Sequence, residues 1–125
     1  MISLYVLQAF EAFIRLIVDR VPEAVQNAHI FRYWERCDYC NVQYDIIGKM
    51  ETFQQDVEYT LSQVGMNMEN LSYHDNISTK DSTEDLAIEL FSKLPKHLVE
   101  QLYELYKHDF ESFDYDPTPF GIIKK

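Results

Sequence analysis

Glycine, cysteine and positive charge are all scarce in this sequence, and each shortage narrows what the chain can do. Its three glycines stand far apart, at positions 48, 65 and 121 of 125. No G-x-x-x-x-G-K-[ST] loop is present, so no Gly-rich run offers its backbone N–H groups to a phosphate. Eleven Lys and Arg stand against twenty-one Asp and Glu, giving a net charge of −10 and a pI near 4.7. That balance argues against nucleic acid and against an anionic membrane surface as partners, since both require clustered cations. The two cysteines, Cys37 and Cys40, have only His29 and Asp38 nearby, too poor a set for a zinc site, and no metal is expected. A long apolar run is missing too. Met1–Leu7 is apolar, but no positive charge leads it and Glu11 and Arg15 soon break the run, so it reads as neither a membrane span nor a signal peptide. Internal repeats and low-complexity segments are absent.

What is present suffices for a core: 46% hydrophobic residues, with eight Phe and nine Tyr, enough for one domain or part of one. Leu7, Phe10, Ile14, Ile17 and Val18 recur on one side of a helix predicted over residues 4–19, with Phe13 widening the stripe and Pro22 limiting it. Residues 23–36 are less regular. They hold His29, Phe31, Tyr33 and Trp34, either a packing cluster or, in a carbohydrate-handling protein, a stacking platform with Trp34 as its best candidate. Val42–Ile47 reads as a short strand closed by Gly48 and Lys49. A helix is predicted over 52–64, with Thr52 and Gln55 as a capping box, Phe53, Val57, Leu61 and Val64 as its buried stripe, and Gly65 as its stop.

Residues 66–81 read as a loop with two N-x-[ST] sequons, at Asn70 and Asn76. Two in one loop fit a secretory-pathway protein better than a cytosolic one. A helix over 83–93 has Ser82 and Asp85 placed for its N-cap and Leu86, Leu90 and Phe91 on its apolar face. Pro95 is expected at the first position of the last helix, where its missing N–H costs nothing. Leu98, Leu102, Leu105, Tyr106, Phe110 and Phe113 recur along that helix as core, Tyr103 and Tyr106 being the alternatives for a cleft lining. Pro117 and Pro119 are expected to end the order, leaving residues 116–125 as a tail.

Three blocks carry a resemblance. Cys37-Asp-Tyr-Cys40 leads into Tyr44-Asp45-Ile-Ile47-Gly48-Lys49-Met-Glu51-Thr52, where a strand stopping at a glycine before a helix suits the display of polar groups to a ligand, or is simply a structural joint. Upstream stands Asn27-Ala-His29. Downstream, Leu102-Tyr-Glu-Leu-Tyr106 continues to Asp109-Phe110, Phe113 and Tyr115. In this order, over residues 27–115, the blocks resemble the C-terminal part of the Golgi carbohydrate sulfotransferases, the group that includes the chondroitin and dermatan 4-O-sulfotransferases. Ile30 departs from the aromatic that usually comes after the histidine.

The resemblance implies an α/β, P-loop-like sulfotransferase fold, with residues 1–125 as a mainly helical C-terminal portion carrying one or two short strands. It implies transfer of a sulfuryl group from 3′-phosphoadenylyl sulfate to a glycan hydroxyl at the lumenal side of the Golgi membrane. The full-length protein would be membrane-anchored. The family normally carries an anchor, a stem and two basic donor-binding segments ahead of the matched part. None occurs here, so the expectation is a fragment that lacks the donor site and is inactive alone.

No catalytic residue carries over from those segments. Within the matched part, His29 is a general base by type or a hydrogen-bonded structural histidine. Lys49 is a contact for the donor or an anionic sugar, or a solvated turn lysine. Glu51 is a base or an acceptor-binding group, or a complement to the helix dipole. Asp45 and Asp109 read as holders of backbone groups or Tyr hydroxyls. Cys37 and Cys40 are disulfide candidates, with each other or with cysteines elsewhere. A redox C-x-x-C reading lacks both a surrounding βαβ pattern and a helix N-terminus to lower a thiol pKa. The competing reading from another class is a non-catalytic acidic helical interaction module derived from the same fold.

Overall fold

The structure, a computed structural model, describes residues 2–20, 27–67 and 83–123. Pro22, Asn70, Asn76 and Ser82 lie outside the described residues. The helices in chain order are α1 (Leu4–Asp19), α2 (Tyr33–Arg36), α3 (Phe53–Gln63), α4 (Thr83–Ser92) and α5 (Lys96–Ser112), with 3-10 turns at Met50–Thr52 and Thr118–Phe120. The chain divides into two compact units, one of residues 1–41 and 79–125 and one of residues 42–78.

In the first unit α5 packs against α1 and α2. The α1 bounds match the periodicity. Ser3 starts the helix, its Oγ accepting from the Val6 N–H at 3.3 Å, a cap that satisfies one of the orphan donors of the first turn. Ile14 and Ile17 are buried, with Leu7, Phe10 and Val18 half-buried beside them. Phe13 does not widen that stripe: with Tyr5 and Leu16 it forms a second apolar side of α1, and all three are exposed. In α5, Leu98 and Val99 are the buried pair. Pro95 has ψ 131, outside the helical range, so it caps α5 instead of occupying its first turn. Its carbonyl accepts from the Leu98 and Val99 N–H groups at 2.9 and 3.3 Å.

The expected tail is packed. Pro117 is among the most deeply buried side chains and Ile122 is also buried. The Phe120 ring meets Phe91 edge-on at 5.3 Å, and Phe91 meets Phe10 at 5.2 Å. The two prolines do not end the order: they preset a 3-10 turn, and Gly121, at φ 79, reverses the chain ahead of Ile122.

α2 and α5 both end on an aspartate with positive φ, Asp38 at 50 and Asp114 at 52. The residue after each donates back into the helix, Tyr39 N–H to the Trp34 carbonyl and Tyr115 N–H to that of Phe110, each at 2.9 Å. This is the Schellman closure, with Asp tolerated where glycine is usual.

In the second unit α3 ends as its sequence predicts. Gly65 is left-handed at φ 73, and the Met66 N–H reaches the Leu61 carbonyl at 2.9 Å. Three expectations fail here. Val64, placed in the buried stripe, is exposed, and Phe53, Val57 and Leu61 are half-buried. Thr52 makes no capping bond, because its hydroxyl is engaged by Asp56. Val42–Ile47 is not a strand, and no strand occurs among the described residues. A ladder needs a neighbouring extended segment to bond with, and none lies alongside among the described residues. The mainly helical character is observed; the strands are not.

Candidate functional site

In the first unit the first and third sequence blocks are bonded together. Asn27 forms a local turn, its Oδ1 accepting from the His29 N–H at 3.0 Å and its carbonyl from the Ile30 N–H at 3.1 Å. The Tyr106 hydroxyl donates to the Ile30 carbonyl at 2.6 Å. One helical turn on, Asp109 accepts from the Tyr33 N–H at 2.9 Å and the Trp34 N–H at 2.8 Å. Asp109 is buried, and it satisfies the orphan donors at the start of α2, the kind of role its place in the sequence suggested. Burial, and then the Asp109 carboxylate, push the Tyr106 phenol above its ordinary range, with Arg32 pulling partly the other way.

The aromatic cluster around this clamp divides. Trp34 is half-buried, 5.2 Å from the His108 ring, with the Arg32 guanidinium 5.9 Å from its centroid. Phe31 lies under Arg36, whereas Tyr33 is exposed. Arg32 is also paired with Glu35 at 2.6 Å. The Trp34 Nε1 is buried and has no hydrogen-bond partner among the described residues.

In the second unit, the middle block is gathered by a residue that sequence reasoning missed. The Asp56 Oδ2 accepts from the Lys49 N–H at 2.8 Å and from the Thr52 hydroxyl at 2.5 Å. The Lys49 amide, then the Thr52 hydroxyl, hold the Asp56 carboxyl below the usual carboxylate range. The Lys49 charge acts in the same direction, and partial desolvation opposes them. Gly48 lies directly against this carboxylate: a Cβ at 48 would stand 3.3 Å from the Asp56 Cβ. A signal was available in the sequence, since Thr52 and Asp56 are one helical turn apart on one face.

Of the predicted site residues, His29 is exposed on the Asn27 turn of the first unit, and Lys49 and Glu51 belong to the second. Lys49 is half-buried beside Asp56, and Glu51 projects exposed from the 3-10 turn, as do Tyr44 and Asp45 from the chain before it. Cys37 caps the end of α2 and Cys40 comes just after Tyr39; both are exposed and no disulfide joins them. No group of His, Cys, Asp and Glu among the described residues is arranged to hold a metal. No helix there is long and apolar enough to cross a membrane.

Two hollows flank α5. An open groove of about 770 Å³ has Lys96, Glu100, Tyr103, Lys107 and Glu111 along it. An apolar one of about 200 Å³ is lined by Phe91, Leu102, Tyr103, Tyr106 and Phe120, so both tyrosines border a hollow while remaining half-buried.

A sequence profile of the sulfotransferase family matches residues 3–116. The chain belongs to the sulfotransferase family. It is 32% identical to carbohydrate sulfotransferase 11 of Danio rerio over 108 residues, which are 85% of this chain and 30% of that protein. Carbohydrate sulfotransferase 12 of Xenopus laevis is 32% identical over 122 residues, 92% of this chain and 27% of the relative. Carbohydrate sulfotransferase 10 of Xenopus laevis is 31% identical over 119 residues, 87% and 33% respectively. The chain thus spans about a third or less of the length of these relatives. No solved structure gives a significant match.

Proposed function

We propose that this chain is the C-terminal portion of a carbohydrate sulfotransferase that moves a sulfuryl group from 3′-phosphoadenylyl sulfate to a glycan hydroxyl. The observation that carries the reading is how the family blocks are used. The Asn27–His29 block and the closing block hold each other through Tyr106 and Asp109, and the Gly48–Thr52 block closes on Asp56.

In-line sulfuryl transfer needs a base for the hydroxyl proton and cations or N–H groups for the leaving phosphate. The described residues do not fit the second task. Gly48 is packed against a carboxylate, Gly65 and Gly121 close helical turns, and Arg15, Arg32 and Lys96 are each paired with a glutamate. We therefore assign no donor site to this chain, which is inactive by itself. His29 and Glu51 are exposed imidazole and carboxylate bases for an acceptor, and Lys49 a contact for an anionic sugar. The longer protein is a membrane-anchored enzyme of the Golgi lumen, with Cys37 and Cys40 oxidised and Asn70 and Asn76 glycosylated.

The test is sulfate transfer by the longest natural protein that contains this chain, using labelled donor and a panel of glycans. Transfer supports the reading. Glycan binding without transfer supports instead the non-catalytic acidic module. For the 125-residue chain alone, calorimetry should register no micromolar donor binding, and finding it would reveal a phosphate site where none is assigned. Mass spectrometry of secreted material that found both cysteines as thiols would reject the oxidised pair.

A further inference from the structure

We infer that Asp56 is the positioning residue of the Gly48–Thr52 loop, fixing its backbone so that Lys49 and Glu51 are presented from one rigid turn. What Lys49 and Glu51 then do rests on the sulfotransferase reading; what Asp56 does rests on geometry alone. A single oxygen of Asp56 takes the Lys49 N–H at one end of the loop and the Thr52 hydroxyl at the other. The Thr52 N–H closes the turn internally on the Lys49 carbonyl at 3.3 Å. Gly48 permits the approach, because its backbone lies where a side chain would crowd the Asp56 Cβ and carboxylate. Glu51 sits between the two anchored residues, so its backbone is pinned on both sides while its carboxylate stays in solvent.

Every one of these contacts lies within eight residues of Asp56, so the loop needs no distant segment to hold its shape. The charged group acting on Asp56 is Lys49. On α3 itself, Glu58 is occupied by the Gln54 amide at 3.2 Å, and Glu51 faces solvent. With the carboxyl held below its usual range, the latch is closed above that range and opens as pH falls through the lowered value.

Amide hydrogen exchange and amide chemical shifts of the full 125-residue chain test this, with the α3 amides from Val57 to Gln63 as the internal control for folding. In Asp56→Ala the Lys49 amide should exchange about tenfold faster or more, the loss of one charge-assisted hydrogen bond. Asp56→Asn keeps the shape and one carbonyl acceptor, so its exchange should lie between the two. It should also abolish the acid titration of the Lys49 amide shift expected of the natural chain as pH falls through the lowered Asp56 value. Gly48→Ala should speed exchange at Lys49, and adding Asp56→Ala to it should change little more, the non-additivity expected of groups in contact.

If Asp56→Ala unfolds α3, the Asn variant decides. Unchanged exchange and titration at Lys49 in a folded Asp56→Asn would overturn the inference. The two readings fail separately. An enzyme that transfers sulfate normally with Lys49→Ala and Glu51→Ala leaves the amide result standing and removes only the role given to the loop.

Discussion

Asp109 and Asp56, each on a helix, hold backbone N–H groups over very different spans. Asp109 reaches 76 and 75 residues back in sequence to Tyr33 and Trp34. Asp56 reaches seven residues to Lys49 and four to Thr52. Asp109 is 7% exposed, whereas Asp56 is half-buried at the surface. The bond chemistry is the same and the consequences differ. Bringing Asp109 to α2 closes a long loop, whose entropic cost is met by the packing of the whole first unit, so its bonds are tertiary and stand or fall with the fold. The Asp56 bonds close a loop so short that they shape it whether or not anything else is packed.

The contrast can be broken most directly in the core of the first unit. Leu98→Ala, at a side chain 1% exposed, should cost about 3–4 kcal/mol in urea denaturation. If it costs under about 1 kcal/mol, the first unit is not the packed body described above. Asp109→Ala should come next, at about 3 kcal/mol, because two part-buried N–H groups lose the buried carboxylate they donate to. Tyr106→Phe removes one neutral bond to the Ile30 carbonyl and should cost about 1 kcal/mol.

The same phenol gives a pH signature. Its folded value is raised, so its contribution is complete below the unfolded tyrosine range and is lost as pH rises through the folded value. Absorbance titration should find a late tyrosine ionisation that Tyr106→Phe removes. Smallest of all is Gly65→Ala, at about 1 kcal/mol or less, since it forces a left-handed alanine at φ 73. Asp56→Ala should move the denaturation midpoint less than Tyr106→Phe does, while altering Lys49 exchange more.

The sequence disclosed the helices well, because α1, α3 and α5 each carry an apolar stripe at helical spacing, and Gly65 marks its helix end by conformational need. Asp109 was legible as a holder of backbone groups; its targets were not, since nothing local in sequence links it to Tyr33 and Trp34. Val42–Ile47 misled because β-branched and aromatic residues favour an extended path equally with or without a partner strand. The prolines after α5 signalled an end to the order, wrongly, since Pro117 is buried. For the site, the loop residues could be read one by one, but the carboxylate that joins them lies a helical turn further on. Thr52 fits a capping box that would serve the backbone, and its hydroxyl goes to Asp56 instead.

Trp34 makes the first unit visible by itself. It is the one tryptophan in the chain. Its backbone N–H is on Asp109, its ring lies against His108, and its Nε1 is shut away from solvent. The tryptophan emission of the protein therefore arises at the clamp and nowhere else. Its colour and intensity track the seating of α2 on α5, and a fluorescence melt reads the opening of that contact while staying silent about the loop around Asp56.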